Sequence, residues 1–153
     1  MLFFYLINQI VKKYFCIKAT IIYFLMLHKI HFTFNEAVAI LPAVKTILKE
    51  IIQLKKNLDK TGYNIYSHNY FSGIGTNGSG IYPDDLVILI ENVKKITDMG
   101  IQIKNIDTGL IDFPYIRSNG EEVYLCYFLG EDGLNFWHSI SDGFSGRKDI
   151  NEL

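Results

Sequence analysis

The sequence predicts an α+β fold: an N-terminal helical hairpin, its first helix kinked at Pro42, packed on an antiparallel meander of about four strands. Three observations predict it. Apolar residues recur at helical spacing between Thr33 and Gly100, the period switches to alternation after Gly100, and the two patterns do not interleave.

Thr33-Phe34-Asn35-Glu36 has the form of a capping box, with Phe32 before it placed as a hydrophobic staple. Pro42 lacks a donor and crowds the preceding turn, so a short helix over 34–41 bends into, or restarts as, a longer one. Val44, Ile47, Leu48, Ile51, Ile52, Leu54 and Leu58 form its apolar stripe, with Lys45, Lys49, Lys55 and Lys56 largely outside it. Gly62 suits the position that ends a helix.

Residues 63–80 are rich in Gly, Asn, Ser and Tyr and read as a flexible loop. They contain Gly73, Gly75 and Gly78 at the G-x-G-x-x-G spacing of a dinucleotide fingerprint. That fingerprint needs a strand before it and a helix starting within it. Here loop precedes it, and the next helix starts beyond it, at Pro83. The segment therefore reads as a hinge between two helices.

Asp84 and Asp85 suit the positive end of that second helix, whose stripe is Leu86, Leu89, Ile90, Val93 and Ile96. Gly100 ends it. Ile101 and Ile103 begin a strand, 105–109 turns, and 110–113 returns as far as Pro114. Residues 122–129 are apolar on both faces, as a central strand should be, and 134–140 pairs back after Asp132-Gly133. The glycine-broken end, 141–150, wraps across the sheet.

At 153 residues the chain makes one domain with a sizeable core, here 28–153. Its two cysteines, Cys16 and Cys126, form no disulfide scaffold or C-x-x-C pair and read as reduced thiols of a cytoplasmic protein. The net charge of −1 hides an asymmetry: residues 1–60 hold nine lysines against three acids, and 61–153 six basic residues against thirteen acids. The split reads first as a solvated lysine-rich helix face; the alternatives are halves that attract, within a chain or between subunits, and a basic face for RNA or anionic lipid.

Residues 1–27 are apolar, but Asn8, Gln9, Lys12, Lys13 and Lys18 break the ~20-residue run that a spanning helix needs. Two readings remain. The segment lies on a membrane surface, or translation begins at Met26, and the second is preferred.

"FTFNEAVAILP", "IDTGLIDFP", "EVYLCYFLGE" and "WHSISDGFSGR" together resemble the small prokaryotic family catalogued as domain of unknown function 2203, over about residues 30–150. The resemblance rests on Glu36, Ala37, Pro42, Asp107, Gly109, Asp112, Phe113, Cys126, Gly130, Glu131, Trp137, His138, Gly143, Phe144, Gly146 and Arg147. It implies no particular activity, cofactor or catalytic residue. Members of that family tend to begin near the position of Lys29, in keeping with a start at Met26.

The densest group of versatile side chains is Trp137, His138, Asp142 and Arg147. With Asp112 they form the candidate ligand or anion site: a histidine shuttles protons or binds metal, an aspartate orients it, and an arginine clamps an anion. Asp107 and Glu131 add carboxylates at strand ends. For a metal, His138 and Asp142 are the candidate ligands, in need of a further carboxylate.

A Cys126–His138 nucleophilic pair is disfavoured by strand parity. A two-residue turn at Asp132-Gly133 places Cys126 across from Ser139, on the face opposite His138; only an odd-numbered turn aligns the two. Cys126 then reads as a small buried hydrophobe. Nucleic acid is not expected as a partner, because the tyrosines of 63–71 lack basic neighbours.

The functional expectation is a small cytoplasmic binding or interaction module, pairing with itself as a homodimer. The first alternative is a small-ligand, anion or metal-dependent acid–base site at the Trp137–Arg147 cluster; the second is a peripheral membrane protein held by 1–27. No motif names a cofactor or a small-molecule ligand.

Overall fold

A computed structural model of the chain describes residues 26–72 and 82–153. The extension up to residue 25 and the three glycines of the G-x-G-x-x-G spacing lie outside the described residues. None of the described helices is long and apolar enough to cross a membrane.

Helix α1 spans Phe34–Lys60. Its capping box forms as expected: the Glu36 N–H donates to Thr33 Oγ1 at 3.2 Å, and the Thr33 N–H donates to the Glu36 carboxylate at 2.7 Å. Of the two forms expected at Pro42, the helix takes the continuous one: α1 runs through the proline as one element and does not restart there. Pro42 sits exposed, only two turns into the helix, and Leu41 and Val44 beside it are buried. Packing of that flank offsets the lost backbone bond.

The segment after Gly62 is not all loop. Ile65–Ser67 forms a 3₁₀ turn and Asn69–Ser72 one α-helical turn, with Ile65 buried in the core. Helix α2, Asp84–Asp98, begins after Pro83 and buries Leu86, Leu89, Val93 and Ile96. Gly100 has φ +92°, and a Cβ there would meet Ile30 Cβ at 2.7 Å, so both backbone and space demand glycine.

The sheet is a five-stranded antiparallel meander in the order β1 to β5: Gln102–Asn105, Leu110–Ile116, Glu122–Phe128, Phe136–Ser139 and Lys148–Asp149. The fifth strand is two exposed residues long, which is why no apolar alternation announces it. Strand β2 also continues through Pro114. There β1 has already ended its pairing at Asp112, and the Pro114 carbonyl accepts from the Phe32 N–H at 2.8 Å instead. A proline on such an edge sacrifices no ladder bond to a neighbouring strand.

Alternation along the strands divides the side chains between two faces. Ile111, Phe113, Val123, Leu125, Tyr127 and Trp137 join Val44, Leu48, Ile51, Leu89 and Ile96 of the helices in one core. Lys55, from the basic half, pairs with Asp59 and with Asp107 of the acidic half, each at 2.7 Å. Part of the charge asymmetry is thus satisfied within the chain.

Candidate functional site

The other face of the sheet carries the chemistry. Asp112 on β2 stands directly across from Cys126 on β3, and Tyr124 on β3 directly across from His138 on β4. The pairing corrects the register expected from a two-residue turn. Cys126 faces Phe136, not Ser139, so Cys126 and His138 share a face.

The physical cause lies in residues 129–135. The Glu131 carboxylate folds back to accept the Phe128 N–H at 2.9 Å, and Leu134 is buried in the core. The connection therefore runs over residues 129–135, an odd number, and pairing resumes only at Phe136 opposite Cys126.

Asp112, Cys126 and His138 are all buried, and their ligand-type atoms lie within 4.8 Å of one another. This is the cluster of three potential metal-ligating side chains found among the described residues. His138 Nε2 is 3.2 Å from Asp112 Oδ2, and His138 Nδ1 donates to the Ser139 carbonyl at 2.8 Å. Asp112 Oδ1 is buried without a hydrogen-bond partner, a costly state for a carboxylate oxygen.

Burial works against a charged His138, yet its bonds to Asp112 and to the Ser139 carbonyl hold its pKa above the usual value. Burial, reinforced by the Asp112 charge, pushes the Cys126 thiol far up. A nucleophilic cysteine needs a thiolate at neutral pH. As it stands, Cys126 is a protonated thiol, and the shared face does not make it a nucleophile.

Two further residues complete the site. Lys104 Nζ lies 3.8 Å from Asp112 Oδ2 and 4.4 Å from the centre of the Tyr124 ring. The Tyr124 hydroxyl is held by His28 Nε2 at 2.6 Å. His28 comes from a segment that straps onto the outer face, where the Leu27 and His28 N–H groups donate to Glu122 at 2.8 and 2.9 Å and His31 Nε2 meets it at 2.8 Å. Lys104, Tyr124 and the three buried residues line a cavity of about 190 Å³, together with Leu110, Ile140, Gly143 and Phe144.

The sequence-predicted cluster does not converge as a unit. His138 and Asp112 meet, but Trp137 points into the core and donates from Nε1 to the Asp149 carbonyl at 3.1 Å. Asp142 is exposed, accepts from the Ser141 hydroxyl at 3.1 Å and shapes a turn in which Gly146 leaves no room for a Cβ. Among the described residues, the group that brings His138 together with other potential metal ligands holds Asp112 and Cys126 and does not include Asp142. Arg147 is paired with Glu131 and stacked on Phe136 and Phe144, with its guanidinium carbon 4.0 and 4.7 Å from the ring centres. Asp107 serves the Lys55 pair.

Fold and site together define a small α+β protein with a buried Asp–Cys–His group at the base of a cavity on the face of its sheet opposite α1 and α2. Residues 30–150 match the model of the family described as "Uncharacterized conserved protein (DUF2203)", and the chain belongs to that family. Asp112, Cys126 and His138 all lie within the matched span. No curated protein and no solved structure matches the chain.

Proposed function

We propose that this protein binds one divalent transition-metal ion of the zinc class through Asp112, Cys126 and His138, and works through the open position that remains. The observation that carries the reading is the cluster itself: carboxylate, thiol and imidazole atoms within 4.8 Å, all buried, at the base of a cavity. Thiolate, imidazole and carboxylate are each zinc ligands.

The geometry supports it in detail. With zinc–nitrogen and zinc–oxygen bonds of about 2.0–2.2 Å, tetrahedral ligand atoms stand about 3.3 Å apart; His138 Nε2 and Asp112 Oδ2 are at 3.2 Å. The Ser139 carbonyl occupies Nδ1, which directs the Nε2 lone pair to a metal, as backbone partners of ligating histidines do. The ion would take the place of the proton that His138 and Asp112 share. Cys126 would lose its own proton on binding.

Three protein ligands leave one position for water or a small ligand, as in catalytic rather than structural zinc sites. A metal so placed polarises a carbonyl or lowers the pKa of bound water. Titration of the whole chain with cobalt(II) tests the reading. It should give one ion per chain and a thiolate-to-cobalt charge-transfer band. Cys126→Ser should abolish the band, and His138→Ala should weaken binding by about a hundredfold or more, both variants keeping the native circular dichroism. Cobalt bound without the band, or equally by all three proteins, would sink it.

A further inference from the structure

The same cavity has a charge and a shape that say what the open position takes, an inference that rests on the metal reading. Asp112 and the Cys126 thiolate together neutralise a divalent ion, and His138 as a ligand is neutral. Lys104 then remains as a positive charge without an equal partner. Its contact with Asp112 is 3.8 Å, against 2.7 Å for the Lys55 pairs, and the metal would claim that carboxylate.

Among the described residues, Asp112 is the acid within ion-pair reach of Lys104. Glu122 is tied to the Leu27 and His28 N–H groups and to His31. Glu131 is paired with Arg147. Tyr124 offers only the face of its ring, its hydroxyl being already held by His28. The Lys104 side chain is 38% exposed, so it can swing over the cavity mouth.

The remaining wall is apolar: Leu110, Ile140 and Phe144. The volume of about 190 Å³ equals that of about six waters at ~30 Å³ each, enough for a small molecule only.

We infer that the open metal position takes a short-chain carboxylate, one carboxylate oxygen on the metal, the charge paired with Lys104, and the alkyl end against Ile140 and Phe144. A compact ammonium-tipped stem suits this as a point charge with freedom to follow the ligand.

The test is titration of the cobalt-loaded chain with acetate, propionate and butyrate, read by the visible cobalt bands. Each should shift the spectrum and saturate, and affinity should rise about three- to fourfold per added methylene, the effect of burying one CH₂. In Lys104→Met, carboxylate affinity should fall tenfold or more, while cobalt affinity holds or rises because a neighbouring positive charge is gone. A purely structural lysine would not split the two affinities in this way.

Unchanged spectra in all three acids, or equal carboxylate affinity in Lys104→Met, would overturn the inference and leave the metal site standing. Affinity independent of chain length would overturn the apolar wall's part in it. Absence of cobalt binding would overturn the inference together with the reading beneath it.

Discussion

The two faces of one sheet are built from the same strands and have opposite chemistry. On the helix side, Ile111, Phe113, Val123, Leu125 and Trp137 fill a core with the helices. One residue along each strand, Asp112, Tyr124, Cys126 and His138 lie equally buried, yet α1 and α2 pack on the other face. The 26–31 strap and the 140–144 segment shield them instead. The inner face is buried by apolar packing, which is favourable in itself. The outer face buries polar groups at a cost, and Asp112 Oδ1 is left without a partner. Ligation of the proposed metal ion by Asp112 would offset that cost.

The comparison can be broken hardest from the inner side. Phe113→Ala, which empties a fully buried position, should cost about 3–5 kcal/mol in urea unfolding. Cobalt affinity of the folded fraction should stay unchanged. A loss of cobalt affinity at native circular dichroism would show that the faces are not separable.

A smaller effect belongs to the strap. Burial opposes the Glu122 charge, but His31 and the Leu27 and His28 N–H groups outweigh it and hold its pKa below the ordinary 4.5. A carboxylate with a lowered folded-state pKa adds stability that is full above 4.5 and lost as pH falls through the folded value. Glu122→Gln should therefore cost about 1.5–3 kcal/mol at pH 7, and the gap to wild type should close as the pH drops below 4.5. A gap that does not vary with pH would mean the strap is held by packing alone. The smallest effect is Tyr124→Phe: loss of the hydroxyl bonded to His28 should cost about 0.5–1.5 kcal/mol, with cobalt binding retained.

The fold was legible because its signals are local. The Thr33–Glu36 box, the stripes of α1 and α2 and the doubly apolar β3 each need only their own stretch of chain. Where tertiary contacts intervene, local rules give way: Pro42 and Pro114 sit inside elements because neighbours compensate for them.

Asp112 and His138 were named from the sequence, whereas Cys126 was read as a small buried hydrophobe, and the grouping of the three was not legible. Their meeting depends on register, which Glu131 and Leu134 set from within the connection. Alternation alone separates Trp137 from His138, since adjacent strand residues face opposite ways. The same parity could have joined Tyr124 to Cys126. Lys104 offers no such signal: it reaches the site only through the pairing of Gln102 with Asp112.

The central claim is that Asp112, Cys126 and His138 act as one metal site. Equilibrium dialysis of the whole chain against zinc, with metal content read per chain, tests it most directly. The account predicts close to one zinc in wild type and in Leu125→Val, which alters the inner face, and close to none in Cys126→Ser. Equal zinc in wild type and Cys126→Ser, or none in either, would contradict it.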